Sequence, residues 1–116
     1  MVGSAHLTYW EMKTIHHITR RQAWEEVLRS GSYRAESLLT EGFIHCSTPA
    51  QVLKTADRFF KNQTGLIILY IDVDKVESEV KYELADNELF PHIYGALNID
   101  AVYQTIDFES RHNYFV

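Results

Sequence analysis

Apolar positions follow two rhythms along this chain, and each rhythm names its elements. Ala23, Trp24, Val27 and Leu28 recur on one face at helical spacing. Thr19 stands where an N-cap belongs, Gln22 three residues on completes a capping box, and Gly31 supplies the C-terminal stop. A second stripe, Val52, Leu53, Ala56, Phe59 and Phe60, runs through "TPAQVLKTADRFFKNQTG". Its start is marked by Thr48 as cap, Pro49 at the first helical position and Gln51 at the third, and its end by residues 62–65.

The other rhythm is that of strands. "KTIHHI", residues 13–18, reads as the first, and "GFIHCS" as a short second. "LIILYIDVD", residues 66–74, is almost continuously apolar, the mark of a central strand covered on both faces. "EVKYEL", residues 79–84, alternates as a half-buried strand does, and "DAVYQTIDF", residues 100–108, is the last clear one. Between them "ADNELFPHIYG" holds turn chemistry with Pro91 and Gly95. "SYRAESLLTEG" reads as loop or short helix, and "ESRHNYFV" as a tail. Residues 1–12 read as an N-terminal extension in which Met12 offers an alternative start and Tyr9 and Trp10 are worth burying. Residues 13–116 then form one domain. Strands gathered after two main helices predict an α+β fold with a mostly antiparallel or mixed sheet. The glycine fingerprint of dinucleotide-binding parallel folds is absent.

Composition supports a packed domain: 46% of the 116 residues are hydrophobic and 13% aromatic. No apolar run reaches the length of a membrane span, and no basic segment leads into an apolar one as in a signal peptide. A single cysteine forms no internal disulfide, and a reducing cytoplasm is the expected location. The net charge of -5 argues against bulk nucleic-acid or anionic-membrane binding. It is uneven, however. Residues 1–61 hold eight Lys and Arg against six Asp and Glu, and residues 62–116 hold three against ten. The first part therefore has cations available for a phosphate-bearing small molecule, although their plainer reading is as solvated helix faces.

Candidate chemistry gathers around "EGFIHCSTP". Adjacent strand residues face opposite ways, so one of His16 and His17 shares a face with any site, and His17 lies nearer the strand end. Three readings stand side by side. His17, His45, His92 and Glu83 are residue types that ligate zinc, but no local ligand spacing accompanies them, and no metal is expected. Cys46 is a potential thiolate near a helix N-terminus that would lower its pKa, with His17 or His92 as base; its plainer reading is a small buried hydrophobe. Ser47 and Thr48 lead into a helix whose free N–H groups attract anions, and Arg34 in the preceding loop can clamp a phosphate. Plain capping by Thr48 is compatible with that cradle. In "LFPHIYG", Tyr94 and Gly95 suggest an aromatic wall beside a close backbone approach, or simply a turn anchored by Phe90 and Tyr94.

"IHHIT", a helix with Trp24, "YRAESLLTEGFIHCST" with Gln51, "RFF", "LIILYID" and "ELFPHIYG" together resemble a domain-of-unknown-function family, number 952 in its series, over residues 15–107. The resemblance implies an ADP-ribosyltransferase-like fold, a small α+β split sheet around an NAD cleft. It implies that His17 takes the first-strand ribose contact and that His45, Cys46 and Ser47 line the second-strand region. Glu83, Glu88 and His92 compete for the third position, where transferases of that fold often place a glutamate to stabilise the developing sugar cation. RNA 2′-phosphotransferases of the same fold use histidines and arginines. NAD or a related nucleotide phosphate is thus the implied ligand, with ADP-ribosyl or 2′-phosphate transfer as the implied activity. A ligand-binding or interaction module without catalysis, and a histidine-based metal-dependent hydrolase, are the alternatives.

Overall fold

The computed structural model describes residues 8–109 and 114–115. The chain runs α1 (Tyr9–Lys13), β1 (Thr14–Arg20), α2 (Arg21–Val27), β2 (Ser32–Tyr33), α3 (Ser37–Thr40), β3 (Ile44–His45) and α4 (Val52–Phe59). It continues with β4 (Leu66–Asp72), β5 (Glu79–Ala85), β6 (Glu88–Tyr94), β7 (Leu97–Asn98), β8 (Val102–Glu109) and β9 (Tyr114–Phe115). The architecture is α+β, and every strand pairing among the described residues is antiparallel. The strands are divided into a four-stranded sheet in the order β1-β4-β8-β9, a three-stranded sheet β3-β6-β5 and the pair β2-β7. No helix among the described residues is long and apolar enough to cross a membrane.

The near-continuous apolar run of β4 is explained by its place between β1 and β8, with both faces covered. Ile67, Leu69 and Ile71 join Ile15 of β1, Trp24 of α2, Tyr33, Ile44, Ile93 and Leu97 in the larger core. Leu66 and Ile68 face the other way, against Ile18, Phe108 and the α4 residues Val52 and Ala56. β1 is buried on both faces for the same reason, so both of its histidines lie inside the fold.

Several local expectations are corrected. Thr19 does not cap α2: the strand continues to Arg20, and the Thr19 hydroxyl is buried against the Tyr33 hydroxyl at 3.0 Å. "ADNELFPHIYG" is not a turn region but the second arm of a β-hairpin, with Ala85 paired to Glu88 across Asp86 and Asn87. Those two residues have φ of 51° and 65°, the left-handed pair that a two-residue hairpin turn requires. Pro91 is tolerated in β6 because its carbonyl, not its missing N–H, makes the link to β3, accepting from Cys46 N–H at 3.0 Å. The close approach at Gly95 is to Ser78: at φ 152°, an added Cβ would lie 2.5 Å from the Ser78 hydroxyl. Tyr114 and Phe115, read as tail, pair with β8.

The Thr48 start is half realised. α4 begins at Val52 without a side-chain cap bond, yet Gln51 and Val52 N–H both donate to Thr48 C=O, extending the spiral back one turn. Gln51 Oε1 accepts from Thr48 N–H at 3.0 Å, which is one arm of the expected capping box. Most of the N-terminal extension, including His6, and the stretch holding His112 lie outside the described residues.

Candidate functional site

His16 and Ser47 join the two larger sheets. His16 N–H donates to Ser47 C=O at 2.7 Å, and Ser47 N–H returns the bond at 2.8 Å. This pairing is an isolated bridge, so the sheets part from it on either side. α4 begins five residues later, and the β5–β6 hairpin is tied to it. Gln51 Nε2 donates to Leu89 C=O at 3.0 Å, Lys54 pairs with Glu88 at 3.1 Å, and Arg58 pairs with Asp86. The resulting cleft has a volume of about 850 Å³.

Into this cleft the fold brings His17 from β1, His45, Cys46 and Ser47 from β3 and its exit, and His92 from β6. His45 and His92 are direct partners in the antiparallel register, so their side chains project on the same side. Their ring centroids are 5.5 Å apart. Phe43 stacks on His92 at 4.1 Å and meets His45 edge-on at 4.7 Å.

Each of these two histidines is held by its own carboxylate. His45 Nε2 lies 3.0 Å from Glu41 Oε2, and His92 Nδ1 lies 2.6 Å from Glu83 Oε1. Tyr94 donates its hydroxyl to the same Glu83 oxygen at 2.6 Å. The bond from Tyr94, then that from His92, holds the Glu83 carboxyl below the usual range, while Glu83 pushes the Tyr94 hydroxyl up. A carboxylate accepts only, so Nδ1 of His92 carries a hydrogen and Nε2 is the other ring position.

His17 is different. Its Nδ1 donates to His45 C=O at 2.6 Å, and its Nε2 lies 2.8 Å from the Tyr33 hydroxyl. Both ring nitrogens are therefore engaged inside the protein. Burial lowers its pKa to about 4, so the ring is neutral near pH 7. His16, with Nδ1 3.2 Å from Leu69 C=O, is lowered in the same way.

Cys46 takes its plainer reading, a small buried hydrophobe, over the thiolate one. It is buried in the larger core, and desolvation pushes its thiol up rather than down, so no nucleophilic thiolate is available. Ser47 Oγ is bonded to Thr55 Oγ1 at 2.8 Å, and Thr48 N–H is taken by Gln51. Arg34, Thr48 and Tyr94 are not among the described residues lining the cleft; Arg34 lies exposed in the loop after β2, and Tyr94 reaches the site through Glu83. Among the described residues no group of three or more His, Cys, Asp and Glu side chains is arranged to hold a metal ion.

Sequence reasoning gave no site role to Glu41, Phe43 or Thr55, held Gln51 as a capping residue, and counted Lys54 and Arg58 only among cations with a plainer reading as solvated helix faces. The signal for four of these was their spacing: positions 51, 54, 55 and 58 make a polar stripe opposite the Val52 and Ala56 face of one helix. That stripe reads as solvated until the β5–β6 hairpin is placed against it.

The fold and cleft define a small α+β protein whose paired histidines stand in one cleft beside two antiparallel sheets. The chain belongs to the family described as protein of unknown function (DUF952), whose model matches residues 18–105. It is similar to the crystal structure of protein CC0527 from Caulobacter crescentus, at 28% identity and a TM-score of 0.75, covering 81% of this chain and 84% of that one. The solution NMR structure of CC0527 is similar at 26% identity and a TM-score of 0.74, covering 90% of this chain and 91% of that one. No curated protein matches the chain.

Proposed function

We propose that the cleft binds NAD or a related nucleotide phosphate, on a fold of the ADP-ribosyltransferase type, and that it serves ADP-ribosyl or 2′-phosphate transfer. The observation that carries this reading is the meeting of His45 and His92 with Lys54 and Arg58 in one cleft of about 850 Å³. Small-molecule sites span roughly 300–1,000 Å³. Lys54 and Arg58 supply the charge a pyrophosphate needs, in place of the Arg34 expected for that role. Phe43, Phe59 and Phe90 offer flat apolar surface for a base or nicotinamide ring.

Breaking a bond at the ribose leaves positive charge on the sugar, which a nearby carboxylate stabilises. Glu83 is engaged by His92 and Tyr94 and is not among the residues lining the cleft, whereas Glu88 lines it, and its bonds from Lys54 and then Gln51 hold its carboxyl below the usual range. Glu88 is therefore the carboxylate for that task. His17, with no nitrogen to spare, holds the His45 carbonyl and so sets the position of β3.

Isothermal titration calorimetry with ADP-ribose and NAD tests the binding. Saturable heat is expected, weakened about tenfold or more in a K54A/R58A double variant, since each charge-assisted bond contributes roughly 1.5–3 kcal/mol. Absence of binding at millimolar ligand, or affinity unaltered in the variant, contradicts the reading.

A further inference from the structure

Neither the thiol nor the serine of the cleft is free: the Cys46 thiol is buried, and Ser47 Oγ is tied to Thr55. What the cleft does contain is two imidazoles of matched design. His45 and His92 face each other in register, at 5.5 Å between ring centroids. Each has one nitrogen fixed by a carboxylate, Glu41 or Glu83. The remaining nitrogens, Nδ1 of His45 and Nε2 of His92, have no hydrogen-bond partner among the described residues. Phe43 packs on both rings and fixes their planes.

Two oriented imidazoles side by side can take one proton and give another in a single step. An acid–base pair alone suffices when the substrate brings its own nucleophile and leaving group close together. Among nucleotide phosphates, a ribonucleotide phosphodiester does so: its 2′-hydroxyl adjoins the phosphorus whose 5′-oxygen departs. Lys54 and Arg58 line the same cleft and match the charge of that phosphorus centre.

We infer that His45 and His92 form a general acid–base pair for metal-free internal transesterification of a short ribonucleotide phosphodiester. One imidazole takes the 2′-hydroxyl proton as the 2′-oxygen bonds to phosphorus. The bond from phosphorus to the 5′-oxygen breaks, and the other ring, as imidazolium, gives its proton to that oxygen. The products are a 2′,3′-cyclic phosphate and a free 5′-hydroxyl, and no co-reactant enters. Water then exchanges the two ring protons back. The overall charge of -5 restricts the substrate to short oligonucleotides rather than long RNA. The inference rests on the reading that the cleft holds a nucleotide phosphate, and it narrows the substrate class.

The test uses the dinucleoside monophosphates UpA and ApA, with EDTA present, read by chromatography of the products and by amide NMR shifts of cleft residues. The expected result is cleavage to the cyclic phosphate, none of the 2′-deoxy analogue, and a loss of about 100-fold or more in H45A and in H92Q. His45 is half exposed, so H45A keeps the test valid if His92→Gln does not fold. Shifts without cleavage overturn the acid–base pair and leave nucleotide binding standing. Neither shifts nor cleavage overturns both. Cleavage undiminished in H45A, or equal for the deoxy analogue, also overturns the pair.

Discussion

Burial takes His17 from an ordinary titrating group to one that stays neutral until about pH 4, against a reference of 6.5. The native ring is tied to the His45 carbonyl and the Tyr33 hydroxyl, and a charge there would go unsolvated. As pH falls through 6.5 the unfolded chain binds a proton that the native protein refuses, so stability falls with it. The contribution is whole above that point, declines at up to about 1.4 kcal/mol per pH unit, and levels off below about 4. Over the window this group removes roughly 3 kcal/mol. His16 adds to the effect with the same sign. Urea unfolding between pH 4 and 7.5 should show this slope, and H17Q should flatten it while lowering stability at pH 7 by about 1–3 kcal/mol through the bonds it leaves unmade. A wild-type profile that is level across the window contradicts the account.

At the scale of elements, the important contact is between α4 and the β5–β6 hairpin. Lys54 and Arg58 hold Glu88 and Asp86 across the cleft, with side chains that remain largely in solvent. Such exposed pairs contribute about 0–1 kcal/mol each, so they do little for stability. They matter to the proposed binding because a phosphate in the cleft would compete with those carboxylates for the same cations. D86N is therefore expected to change the unfolding free energy by under about 1 kcal/mol and to tighten ADP-ribose binding severalfold. Paired unfolding and calorimetric titrations check this; weaker binding in D86N would show that the pair assists the ligand rather than opposing it. The hairpin was the element least legible in the sequence. Pro91 inside "LFPHIY" argues against a strand when only the missing N–H is counted. The strand forms because the link to Cys46 uses the Pro91 carbonyl as acceptor and not the missing N–H, and because Asp86 and Asn87 accept left-handed backbone.

Across the whole molecule, what the sequence made legible was what depends on periodicity. The central β4 and the α+β class follow from spacing alone, since burial dictates those patterns, whereas the helix stripes hold only in part: Trp24, Val52 and Ala56 are buried, but Leu28, Leu53 and Phe59 are exposed. His45 and His92 were identifiable as chemically capable, but their register pairing was not, because it depends on a strand the proline disguised. Of the carboxylates that orient them, Glu83 was already among the sequence candidates, whereas Glu41, four residues before His45, was not. Cys46 followed its plainer reading, a small buried hydrophobe; the thiolate reading fell because the proximity of a helix start is visible in sequence, whereas complete desolvation by the surrounding core is not. The central claim is that this cleft takes a nucleotide phosphate at the His45–His92 pair. Histidine-selective NMR of the side-chain nitrogens during titration with ADP-ribose tests it most directly. The account predicts saturable shifts at His45 and His92, with a smaller response at His17, whose nitrogens are already engaged. Unmoved His45 and His92 signals at millimolar ligand would contradict it.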